Sequence, residues 1–231
     1  MKIFFKGVKD GVPIALGYLA VSVTLGIAAK NAGLSIFQAV LASLTNNASA
    51  GEFVGFTLIA ANAPIIELIM MEALTNARYM LMSTALSQKL KSDVSTAQRL
   101  LLGMCVTDEI FGISVGYGDT LDPRYSYGAF AIACPAWAAG TFIGALLGSV
   151  LPLRAVSALS VGLYGMFLAI FIPPAKENPV VLGCVAAAFF LSWLFSRLAW
   201  FSTGVTTILL TVLISLLAAV FFPVKEEAQN G

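Results

Sequence analysis

Between Ser43 and Tyr79 the chain carries Asn46, Asn47, Ser49, Glu52, Glu67, Glu72, Asn76, Arg78 and Tyr79, set among Phe, Ile, Leu and Met. Amides and hydroxyls offer both donors and acceptors, and a guanidinium can clamp a carboxylate bidentately. A second group, Thr107-Asp108-Glu109, interrupts another apolar run. Ionisable groups in hydrocarbon are costly and usually face a bundle interior or a watery cavity. These residues read as the heart of a solute pathway, with the rest of the chain as its container.

The container is oily. Of 231 residues, 59% are hydrophobic and 11% charged, and mean hydropathy is +0.91. Soluble domains carry about 25% charged residues, so the composition describes an integral membrane protein. A net charge of +1 leaves no electrostatic footprint for nucleic acid. Cys105, Cys134 and Cys184 fall inside apolar runs, where Cys packs as a small hydrophobe, and no disulfide framework is suggested. The basic start, Lys2 to Lys9, lacks a small-residue cleavage pattern behind its first apolar run, so that run is kept as a span.

A helix needs about 20 apolar residues to cross the bilayer core. Gly11–Ala29, entered through Pro13 in its first turn, qualifies, as do Tyr125–Leu153, Ala155–Ala175, Asn178–Ser196 and Leu198–Val224. Arg99–Gly118 is a further span interrupted by Asp108-Glu109. Placing Lys2, Lys6, Lys9, Lys89, Lys91, Arg99, Arg154 and Arg197 inside leaves Lys30, Arg124, Lys176 and Lys225 outside, in the positive-inside sense. Residues 31–88 must then cross an odd number of times and are too short for three helices. One crossing plus a broken or re-entrant piece fits, with a half-length helix over 34–44, an unwound joint over 45–51, and a disturbance at Pro64. Irregular backbone survives at that depth where protein or water satisfies it, as in the broken helices of secondary transporters. The expected fold is an all-α polytopic membrane bundle in one domain over 1–231. It has about seven spans and a broken or re-entrant element near 34–75.

The motifs admit more than one use. Ser49-Ala-Gly-Glu52 matches a capping box, whereas free amides at the same joint would cradle an anion. Glu72, Asn76 and Tyr79 share one helix face. Arg78 either snorkels to the interface or faces the cavity as a clamp. Asp108 and Glu109 point about 100° apart if helical, so one faces any given cavity and the other needs a partner, such as Arg78. Such acids either carry a proton per cycle or tie helices together. Ala136, Gly140, Gly144 and Gly148, and the pair Gly112 and Gly116, suit close helix packing. Gly112-Ile-Ser-Val-Gly116 matches a nucleophile elbow, but it lies within a predicted membrane helix and the chain has no His to act as base. Zinc-protease and Walker A motifs are missing from the sequence too. No enzyme is expected, and no metal or other cofactor is called for.

Ala48-Ser-Ala-Gly-Glu52-Phe53, Asn76-Ala-Arg78-Tyr79 and Thr107-Asp108-Glu109, in this order and at these separations, resemble the AzlC family of branched-chain amino-acid permeases. That family's pattern has Gln where this chain has Glu52, and His where it has Tyr79. The resemblance covers nearly the whole chain. It implies export of small amino acids such as valine, leucine, isoleucine or methionine, a small AzlD-type membrane subunit as partner, and the bacterial cytoplasmic (inner) membrane.

Together these readings give a secondary-active exporter subunit with its N-terminus cytoplasmic. Asn46, Asn47, Ser49, Glu52, Asn76, Arg78 and Tyr79 would bind the substrate, and Glu67, Glu72, Asp108 or Glu109 would manage protons. A non-transporting scaffold, or a passive solute channel, is the alternative, and the chain could also associate with copies of itself.

Overall fold

The computed structural model describes residues 1–148, 168, 172–173, 175–198 and 203–222. Among them lie nine named helices and no strand: α1 Lys2–Asn31, α2 Ile36–Thr45, α3 Ser49–Ala60, α4 Ile65–Gln88, α5 Thr96–Met104, α6 Asp108–Val115, α7 Pro123–Leu147, α8 Pro179–Leu198 and α9 Thr203–Phe221. The expected span over 155–175 falls almost wholly outside the described residues. Helices α1, α7 and α8 are long and apolar enough to cross a membrane. The protein is an all-α membrane bundle. Contacts divide the chain into two compact units, Met1–Ala63 with Glu72–Leu163, and Pro64–Met71 with Tyr164–Gly231.

The first unit is built on α1 and α7. Glycines bring their backbones together. A methyl group at Gly7 would meet Tyr125, at Gly11 Ala129, at Gly26 Thr141, at Gly140 Leu19 and at Gly144 Val23. Small residues permit this approach in membranes, where lipid is as apolar as Leu and packing drives association. The Gly140–Gly144 part of the expected stripe is thus a real interface, whereas Gly112 faces open space. Pro13 sits well inside α1 rather than in its first turn. The helix continues back to Lys2 because Gly7 and Gly11 seat it on α7.

Partner numbers along this interface rise together, from Gly7 with Tyr125 to Lys30 with Gly148. The two helices therefore run parallel. This corrects the expected placing of Arg124 on the face opposite the amino terminus.

The reason lies in residues 96–115, expected as one crossing. They form two helices of 9 and 8 residues, each about 13 Å long against a core of about 30 Å. Leu121 N–H donates to Lys89 O at 2.9 Å, and the Lys89 ammonium reaches Val115 O. Tyr127 Oη donates to Gln98 O at 2.7 Å, so the start of α5 and the exit of α6 share one end of the unit. Helices α5 and α6 are a re-entrant hairpin whose tip is Cys105–Thr107. Leu86, Leu102, Val106, Leu121 and Tyr125 form the apolar core beneath it.

Helices α2 and α3 make a second hairpin from the opposite end. α2 starts just past the end of α1, where Leu34 N–H donates to Ala29 O at 3.1 Å and Gly33 turns the chain with φ 84°. α3 runs antiparallel to α4. Gly51 lies against both Glu72 and Asn76, and Gly55 against Glu72, while Ser87 of α4 meets Arg99 at the other hairpin's base. The broken element near 34–75 is this hairpin and the start of α4. Each hairpin opens with a Ser-x-x-Gln capping box, Ser35 with Gln38 and Ser95 with Gln98. The expected box at Ser49–Glu52 does not form: Ala48 is the N-cap of α3, without a side-chain bond.

In the second unit α8 packs on α9, leaving an open cavity of about 1230 Å³ lined by residues such as Val181, Val185, Leu210 and Ile214. Phe189, Phe190 and Trp193 of α8 stand exposed, as suits a lipid-facing surface.

Candidate functional site

Both hairpin tips end at mid-depth in the first unit, and the polar residues gather there. Glu72 Oε2 accepts from Asn76 Nδ2 at 2.9 Å and from Asn46 Nδ2 at 3.3 Å. This carboxylate lies over bare backbone, since a methyl at Gly51 would come within 2.7 Å of Oε2 and one at Gly55 within 2.9 Å of Oε1. Two glycines on one face of α3 thus make room for an acid from α4. Asn47, at the same break, donates through Nδ2 to Leu44 O at 3.5 Å.

Glu52, one turn into α3, is 2% exposed. Its oxygens accept from Trp137 Nε1 at 2.7 Å and from Ser43 Oγ at 2.9 Å, and Ser43 Oγ lies 2.7 Å from Thr141 Oγ1. A buried carboxylate in hydrocarbon persists when its lone pairs are met in this way. Glu52 therefore fastens both arms of the α2–α3 hairpin to α7. Ser49 begins α3 beside it.

The other tip is assembled from different parts. Thr107 caps α6 through Ile110 N–H, placing Asp108 and Glu109 in the first turn, where the helix dipole favours acids. Rather than interrupting a continuous helix, the acids begin a new one. Arg78 Nη2 pairs with Asp108 Oδ2 at 2.8 Å. The guanidinium also sits over the Tyr79 ring, 5.2 Å from its centroid. Tyr79 packs on the core under the hairpin. Tyr18 Oη lies 2.5 Å from Glu109 Oε2 and 2.6 Å from Thr107 Oγ1. So Arg78 neither snorkels nor stands alone, and the acids divide, one to Arg78 and one to Tyr18.

Tyr18 and Trp137 join the two tips. Their rings meet edge to face with centroids 5.0 Å apart. Asn46, Glu72 and Asn76 thus form one cluster, Arg78, Tyr79, Asp108 and Glu109 another, and the aromatic pair touches both hairpins. Glu67 is buried and belongs to the second unit.

Sequence reasoning passed over Tyr18, Trp137 and Thr141, and took Ser43 only as the start of the polar stretch. Tyr18 and Trp137 carried a usable signal, because a buried indole N–H or phenol needs a polar partner, and acids were the candidates at hand.

Fold and site define a multi-pass helical membrane protein with two re-entrant hairpins that enter from opposite ends and meet at carboxylates. The chain belongs to the AzlC family: the family model described as AzlC protein matches residues 13–151, a stretch that takes in both hairpins. It is 32% identical to an uncharacterized membrane protein of Archaeoglobus fulgidus over 81% of this chain and 85% of the relative. It is 27% identical to the inner membrane protein YgaZ of Escherichia coli, over 73% of this chain and 70% of that protein. An uncharacterized membrane protein of Helicobacter pylori is 27% identical over 76% of this chain and 78% of the relative. No solved structure matches the chain.

Proposed function

We propose that the protein is a secondary-active, proton-coupled exporter subunit for small apolar amino acids of the branched-chain kind, acting with a small AzlD-type membrane subunit. The observation that carries this reading is a set of buried polar atoms without a hydrogen-bond partner among the described residues: Asn47 Oδ1, Asn76 Oδ1 and Arg78 Nε. Leaving such an atom unpaired costs about 1–3 kcal/mol, so three at a pair of hairpin tips point to groups kept for a ligand. Two acceptors suit an ammonium group and one donor suits a carboxylate. Asn46 and Tyr79 position these atoms, while Ser49 and Glu52 shape the joint. Glu72, Asp108 and Glu109, with Glu67 on the first turn of α4, are the groups to exchange protons.

Sidedness follows from charge. Lys2, Lys6, Lys9, Lys89, Lys91, Arg99 and Arg124 gather at one end of the first unit, with Lys30 at the other. By the positive-inside tendency this charge bias supports a cytoplasmic amino terminus. This bias is sharper than the alternation of apolar runs suggests, because α5 and α6 do not cross.

The test is flux. Proteoliposomes loaded with isotopically labelled valine, leucine or methionine and given a pH gradient should release label in a gradient-dependent, saturable manner. Release proportional to the gradient without saturation would point to a passive channel. No gradient-dependent flux, with the partner subunit or without it, would overturn the proposal.

A further inference from the structure

The two hairpins are fastened differently, and each fastening ends on one member of the Tyr18–Trp137 pair. On the α5–α6 tip, the single phenolic proton of Tyr18 serves Glu109, because an ionised carboxylate oxygen only accepts. The Thr107 hydroxyl, which already caps α6 through Ile110 N–H at 3.3 Å, supplies its own proton to the Tyr18 oxygen. On the α2–α3 tip, Trp137 donates to Glu52. Neither aromatic bonds the other's hairpin. Both stand on the pair α1 and α7, whose glycines put backbone against backbone and leave little freedom to part.

We infer that Tyr18 and Trp137 are gate-positioning residues of a two-sided latch. Tyr18 holds the α5–α6 hairpin shut and Trp137 holds the α2–α3 hairpin shut, so that release of one opens the polar centre toward one membrane face while the other stays closed. The inference rests on the transport reading for its purpose, since two hairpins entering from opposite ends supply the two gates that alternating access needs. It rests on geometry for its substance. A helix pair packed through glycine is the fixed frame, whereas the half-length helices, joined at breaks, pack on it far less extensively and are the parts of lower local stability.

Amide hydrogen exchange on the full chain in lipid nanodiscs tests it without asking for transport. Tyr18→Phe keeps the ring and removes the bonds to Thr107 and Glu109. Exchange should quicken about fivefold or more over 103–112, as expected from losing a buried hydrogen bond, while 44–55 stays as in the parent. Trp137→Phe should give the reverse pattern. Cys105, buried in the α5–α6 break, adds a sided readout. With Cys184 and Cys134 replaced by Ala, a membrane-impermeant maleimide should label Cys105 faster in Tyr18→Phe from the face that bears the amino terminus, and not from the other. Should Trp137→Phe yield no folded protein, Thr141→Val loosens the same hairpin through Ser43 and carries the same expectation. Both tips loosening in either variant, or neither loosening in both, would overturn the latch. Selective loosening in a protein that moves none of the labelled amino acids would keep the latch and sink the transport reading instead.

Discussion

Arg78 of α4 and Asp108 at the head of α6 form an ion pair of 2.8 Å, tying a long helix to the tip of a hairpin that enters from one end. Their side chains are 31% and 32% exposed, so the pair is partly screened and its stability value is modest, on the order of 1 kcal/mol. Its position is worth more than its energy. Asp108→Asn should lower the melting temperature by a few degrees at most, keep the fold, and abolish pH-driven flux. Thermal unfolding beside proteoliposome flux measures both. A scaffold would show the opposite split, with folding yield or partner binding lost.

The frame beneath that pair can be tested through two glycines that look alike in sequence. Gly144 lies on Val23 backbone atoms, while a methyl at Gly112 meets nothing within 4 Å. Gly144→Ala should push α1 and α7 apart and cost about 1–3 kcal/mol or more, because backbone cannot step aside as a side chain can. Gly112→Ala should gain up to about 1 kcal/mol of helix propensity. Melting curves in detergent should therefore move in opposite directions. Equal shifts would mean that the α1–α7 contact is looser than described.

Gly51 offers a finer instrument. Its missing side chain leaves room for Glu72 Oε2 and for the Asn76 amide, which would stand 2.7 and 3.0 Å from an added methyl. Gly51→Ala should shift both groups by a few tenths of an ångström and leave helix packing intact, since the neighbours are ends of flexible side chains. The expected result is an unchanged melting temperature with KM raised about tenfold, the share of roughly one lost ligand hydrogen bond. An unchanged KM would remove Glu72 and Asn76 from the binding step.

The first hairpin was legible because Thr45-Asn46-Asn47 separates an apolar run too short to cross from another that resumes at Phe53. The second was hidden. Thr107-Asp108-Glu109 sits in a stretch of about one span's length, so it looked like a polar interruption of a continuous helix and shifted the assigned side of Arg124. The capping rule that pointed to Ser49 and Glu52 applies instead at Ser35 and Ser95. At Ser49 tertiary contact prevailed, since Trp137 and Ser43 hold the Glu52 carboxylate that the box required. The cluster's members were visible as polar residues in oily helices. Their division between two tips was not, because it depends on Tyr18 and Trp137 from distant helices.

Glu52 itself gives the sharpest separation of structural from transporting acids. Both of its oxygens are occupied, one by an indole N–H and one by the Ser43 hydroxyl, and Ser43 and Thr141 can exchange donor and acceptor roles. In Glu52→Gln the amide oxygen still accepts from Trp137, while the amide N–H donates to Ser43. Ser43 then turns its proton to Thr141, so the indole and the Ser43 hydroxyl keep their partners and one amide N–H is left over. Stability should fall by about 1–2 kcal/mol at most and flux should persist. Glu52→Ala leaves the indole N–H and one proton of the Ser43–Thr141 hydroxyl pair without acceptors beside a cavity, and should cost about 3 kcal/mol or more. Melting curves and flux of the two variants decide the matter. If Glu52→Gln melts like the parent but no longer couples flux to the pH gradient, Glu52 carries a proton and is more than a fastening. If both variants unfold alike, the reversible hydroxyl chain does not operate.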